Sequence, residues 1–155
     1  MKQYIFGFIT IIWISVIFSF SFQGADKSAT VSDSVGDLLL EHGSSETLKE
    51  SESWSQEERD FYYKVVRKLG HFSEFFVLGA LMLLTMNEIK FHRKSVIAFF
   101  ACVVVAIIDE TIQLFVPGRA GLMTDVLIDS FGSMMGVFVC LFIMKRIFEK
   151  KIKTC

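Results

Sequence analysis

Apolar residues gather in four long runs along this chain, at residues 4–22, 71–86, 95–116 and 126–144, separated by segments rich in Ser, Asp, Glu, Lys and Arg. A run of about 20 apolar residues is the length of a helix that crosses a bilayer. The pattern predicts four transmembrane helices over about 4–22, 65–87, 95–116 and 125–145, with a long loop at 23–64 between the first two. The expected fold class is all-α: a polytopic membrane protein forming one domain over residues 1–155.

The first run follows Lys2 and could also be read as a cleaved signal peptide. It is long for that, since the apolar core of such a peptide usually spans about 7–15 residues. Cleavage near residues 22–25 would also put Phe22 or Gln23 where a small side chain is needed. A retained first helix is therefore expected. Further along, Ser55 followed by Glu58 has the spacing of a capping box. A helix starting near Gln56 would then run without a break into the second span. Trp54, Phe61, Tyr62 and Tyr63 fall where aromatic side chains gather at a membrane surface.

Composition supports this class. Hydrophobic residues make up 52% of the chain, 17 of them Phe, with a single Pro. A soluble domain runs at about 45–50% apolar, so the clustering of these residues decides the class more than their number. The net charge of -1 gives no reason to expect a nucleic-acid partner. Cys102 and Cys140 lie within apolar runs and Cys155 is the last residue, a spacing that suggests neither a zinc site nor a redox pair.

Charge sets the expected orientation. Short loops rich in Lys and Arg stay in the cytoplasm. Lys90, Arg93 and Lys94 follow the second run, and Lys145, Arg146, Lys150, Lys151 and Lys153 follow the fourth. Residues 23–64 hold ten Asp and Glu against four Lys and Arg. A multi-pass protein of the cell membrane is expected, with both termini cytoplasmic and 23–64 outside.

Several charged residues stand inside or beside the apolar runs. An ionisable residue in a membrane span is costly and is a functional-site hypothesis by default. Arg67, His71, Glu74 and Leu78 repeat at four, three and four, which makes one helical stripe, and Lys68 lies beside it. Asp109 and Gln113 share a face of the third helix, with Glu110 adjacent. Val116-Pro117-Gly118 then breaks that helix and places Arg119 on a tight turn, where its charge needs no buried partner. Asp125, Asp129, Gly132 and Gly136 repeat at four, three and four on the fourth helix. Gly132 and Gly136 form a small-xxx-small motif that lets helices approach closely and could join copies in a homo-oligomer.

All these charges fall at the outer ends of their helices, so a polar site between the last three helices is expected. His71, Glu74, Asp109 and Glu110 are candidates for proton transfer, because His titrates near neutral pH and a carboxylate can fix its tautomer. Arg67, Lys68, Gln113, Arg119, Asp125 and Asp129 are candidates for substrate binding, since Arg offers a two-pronged fork to phosphate or carboxylate. No cofactor or metal is expected: a metal site from His71, Glu74 and Asp109 would offer a single imidazole, and transition metals prefer more. Three roles stay open: a structural network in which Arg67 or Arg119 pairs with Asp109, Glu110 or Asp125; a binding or catalytic site for an anionic lipid; and a transport element.

The same residues carry a family resemblance. Arg67-Lys68-Leu69-Gly70-His71-Phe72-Ser73-Glu74-Phe75 resembles a segment of VanZ-like membrane proteins. Asp109-Glu110-x-x-Gln113-x-Phe115-x-Pro117-Gly118-Arg119 resembles their central signature, and Asp125-Val126-x-x-Asp129-x-x-Gly132-x-x-x-Gly136 is similar to their last block. Ser19–Ser21 with Gln23 fits more loosely. The family usually has Asn where this chain has Asp129. The resemblance implies a small polytopic protein of the cell envelope and supplies no reaction; it is the charged residues that suggest binding of, or action on, membrane lipids or a lipid-linked envelope precursor. The family's namesake is associated with low-level resistance to the glycopeptide teicoplanin.

Overall fold

The computed structural model describes residues 2–43, 51, 53–87, 93–119 and 121–153. It contains α1 (Lys2–Ser21), α2 (Ala25–Glu41), α3 (Gln56–Asn87), α4 (Lys94–Leu114) and α5 (Met123–Lys153), with no strand among the described residues. Helices α1, α3, α4 and α5 are each long and apolar enough to cross a membrane.

The expected loop at 23–64 is corrected by α2, which occupies Ala25–Glu41. The same stretch yields to the expected helix start near Gln56. The Ser55 amide donates to Glu58 Oε2 at 2.7 Å and the Glu58 amide to the Ser55 hydroxyl oxygen at 3.4 Å, which closes the capping box. Helix α3 then runs unbroken for 32 residues. Two of the aromatic residues expected at the membrane surface also hold α2. Tyr62 donates its hydroxyl to the Gly36 carbonyl at 3.1 Å, and Tyr63 to Asp37 Oδ1 at 2.6 Å.

The bundle is inverted relative to a soluble one. Many large apolar side chains face outward, among them Phe100, Val104, Ile107, Phe138 and Phe142. Lipid tails are as apolar as these side chains, so helices in a membrane associate through close packing and polar contacts. The α3–α5 crossing shows this. A Cβ on Gly132 would lie 2.5 Å from the Phe72 carbonyl oxygen. A Cβ on Gly136 would strike the Phe76 carbonyl oxygen, and one on Gly79 the Ser133 carbonyl oxygen. The close approach offered by Gly132 and Gly136 is thus taken up by α3 of the same chain.

Helix α1 joins through a small core of Ile17, Phe75, Leu78, Cys102, Val105 and Ala106. Two polar contacts tie it to α3: Thr10 and Thr85 share a hydrogen bond of 2.9 Å, and Trp13 Nε1 donates to the Glu74 carbonyl at 3.0 Å. Between α4 and α5, the Arg119 amide donates to the Val116 carbonyl at 3.1 Å, with Gly118 at φ 77. A positive φ after Pro117 is the geometry of a type II turn, which favours Gly.

Candidate functional site

All ten predicted site residues lie at one end of the bundle, in three groups. The first is a buried cluster. His71 from α3, Asp109 and Glu110 from α4 and Asp129 from α5 each offer a ligand-capable atom, and these atoms all lie within 4.8 Å of one another. Asp109 and Asp129 are fully buried and Glu110 nearly so.

Two of these carboxylates are held firmly. Ser21 donates its hydroxyl to Asp109 Oδ1. Gln113 Nε2 donates to Asp109 Oδ2 at 3.1 Å and to Glu110 Oε1 at 3.0 Å, so one side chain holds the two acids one helical turn below it. The Leu122 amide, just past the α4–α5 turn, donates to Glu110 Oε2 at 2.9 Å. Asp129 differs. Its Oδ1 lies 3.8 Å from His71 Nδ1, too far for a hydrogen bond, and neither of its oxygens meets a donor among the described residues.

The second group surrounds a cavity of about 190 Å³. Arg67, His71 and Glu74 of the α3 stripe line one wall, Arg119 comes from the α4–α5 turn, and Ser28 and Ser32 of α2 complete it. Arg119 does not stand free on its turn, as the sequence suggested. It reaches back to α1, donating to the Phe20 and Ser21 carbonyls at 3.5 and 3.4 Å, and also to the Ser28 hydroxyl. The last carbonyls of a helix lack intrahelical partners and carry partial negative charge, which attracts a cation. Burial, and then the neighbouring charge of Arg67, lowers the pKa of Arg119 from its ordinary value; an arginine stays protonated under such a shift.

The third group is Lys68 with Asp125, an ion pair of 3.5 Å between α3 and α5. It sits beside a second cavity of about 250 Å³ that Arg67 and Arg119 also line. Lys68 further borders an apolar groove of about 480 Å³ on the outer face of α3 and α5, with Leu69, Phe72, Leu127 and Phe131.

Lys68–Asp125 is an ion pair, and the 3.8 Å His71–Asp129 contact would become one only with a protonated imidazole. The direct pairing of Arg67 or Arg119 with Asp109, Glu110 or Asp125, expected for a structural network, is absent among the described residues. Sequence reasoning missed Ser28 and Ser32, because their segment was read as a loop. Val31, Val35 and Leu38, spaced four and three, were the available signal for that helix.

The sequence profile of the VanZ/LLP1 family matches residues 6–145. No curated protein and no solved structure matches the chain.

Proposed function

This chain is a membrane protein belonging to the VanZ/LLP1 family, and from that premise we propose that it binds an anionic cell-envelope lipid or lipid-linked precursor in the cavity shared by Arg67 and Arg119. The observation that carries this reading is that two guanidinium groups line one cavity without a carboxylate paired to either. An arginine fork matches the geometry of phosphate or carboxylate. The apolar part of the same cavity's lining, Phe20, Val31, Val35 and Val66, favours a lipid over a soluble anion, because it can take the start of an acyl chain beside a headgroup at the arginines. His71 and Glu74 line the same cavity and stand where proton transfer to a bound headgroup could occur.

In this reading the cavity faces the outer leaflet, and the family association extends the proposal to glycopeptide susceptibility. A second reading, a scaffold in which the polar groups only fix the helices, draws support from the bonds Arg119 makes to α1 and α2. Native mass spectrometry of the purified protein separates the two. Binding predicts selective retention of phosphatidylglycerol over phosphatidylcholine, whereas a scaffold retains both alike.

A further inference from the structure

We infer that His71, Asp109, Glu110 and Asp129 form a binding site for one divalent metal cation. Their four ligand-capable atoms lie within 4.8 Å of one another although they come from three different helices. Two ligands on opposite sides of an ion with bonds of about 2.0–2.2 Å stand roughly 4.2 Å apart, so the cluster closes on such an ion with shifts of a few tenths of an ångström.

The second observation is independent of that crowding. Asp129 is fully buried, yet neither of its oxygens meets a hydrogen-bond donor among the described residues. His71 Nδ1 is likewise buried without a hydrogen bond, and it points to Asp129 across 3.8 Å. Buried polar atoms are almost always hydrogen-bonded, and buried charges are paired or coordinate a metal. A cation between these two groups supplies what both lack.

Asp109 and Glu110 carry the outer bonds expected of metal ligands, which orient a carboxylate before it meets the ion. Ser21 and Gln113 hold the first, Gln113 and the Leu122 amide the second. Each carboxylate oxygen has more than one lone pair, so these bonds leave both acids able to ligate. Carboxylate oxygens suit Mg²⁺, Ca²⁺ and Mn²⁺, and an imidazole adds a preference for transition ions. One imidazole with three carboxylates therefore suits an Mn²⁺-like ion, whose charge offsets most of theirs. His71 also lines the basic cavity, so the ion would be reachable from it.

The metal site stands without the lipid reading, and its test contains no lipid ligand. The full chain, purified in a neutral detergent, is titrated with MnCl₂, and free Mn²⁺ is followed by its electron paramagnetic resonance signal. The wild type is expected to bind one ion per chain. Asp129→Asn and His71→Gln should each lose at least the roughly tenfold affinity that removing even an outer-shell partner costs. Glu57→Gln, remote from the cluster, should bind like the wild type. Circular dichroism and a single elution peak establish the folded state of each variant; where Asp129→Asn does not fold, His71→Gln decides. No stoichiometric Mn²⁺ binding by the folded wild type, or equal binding by the wild type and a folded cluster variant, overturns the assignment.

Discussion

Ser21 donates its hydroxyl to Asp109, which joins the end of α1 to α4 across 88 positions of the chain. Helix α1 is thereby part of the polar site as well as of the apolar core. Asp109 is fully buried and its other oxygen is already committed to Gln113. Removing the Ser21 hydroxyl leaves a buried acceptor short of its donor, at a cost of about 1–3 kcal/mol. Ser21→Ala is therefore expected to lower the melting temperature of the detergent-purified protein. Ser19→Ala should not, since that hydroxyl bonds only the Val16 carbonyl on an exposed face. Equal melting temperatures for the two variants would contradict an anchoring role for Ser21.

The α3–α5 crossing should be as sensitive to a single methyl group. A Cβ at Gly136 meets the Phe76 carbonyl oxygen, a backbone atom that cannot swing aside. Gly136→Ala is expected to destabilise by about 1–3 kcal/mol, the usual scale of overpacking. Gly70 lies in the same bundle, and a Cβ added there would meet nothing within 4 Å. Gly70→Ala should be neutral or stabilising by up to about 1 kcal/mol, because Ala is the better helix former. Thermal unfolding followed by circular dichroism compares the two, and equal stability would show that the crossing is looser than described.

The site's faces were legible in the sequence because helical periodicity is fixed. Arg67, His71 and Glu74 share a stripe and line one cavity, as their spacing required. Gly132 and Gly136 mark a close crossing, as theirs did. Spacing says which residues share a face, however, and not what that face meets. Arg119 was placed on its turn correctly, but its attraction to the terminal carbonyls of α1 depends on where α1 ends in space. Helix α2 was hidden by its Ser and Asp content, and part of what holds it is the pair of hydroxyls of Tyr62 and Tyr63, more than twenty residues away. The unpaired state of Asp129 is invisible to any local pattern, since it is a property of three helices together.

Orientation is testable through α2. The Lys and Arg distribution predicts that this helix lies outside the cell. In a variant lacking Cys102, Cys140 and Cys155, Glu41→Cys is expected to react with a membrane-impermeant maleimide on intact cells. Glu41 ends α2 on an exposed surface, so access to the reagent does not limit the reaction. Labelling only after lysis would reverse the topology and place the cavity on the cytoplasmic side.

The affinity of arginine variants for an anionic lipid is the most direct measurement of the proposed function. Among the described residues Arg67 makes no hydrogen bond or ion pair, so Arg67→Ala should fold and insert like the wild type. Losing a charge-assisted hydrogen bond of about 1.5–3 kcal/mol weakens binding roughly 10- to 100-fold. Fluorescence titration of the purified protein with a labelled short-chain phosphatidylglycerol is predicted to show that loss in Arg67→Ala. Arg119→Lys keeps the charge without the fork and should fall between that variant and the wild type. Equal affinity for phosphatidylglycerol in the wild type and a folded Arg67→Ala would contradict anion recognition at this cavity.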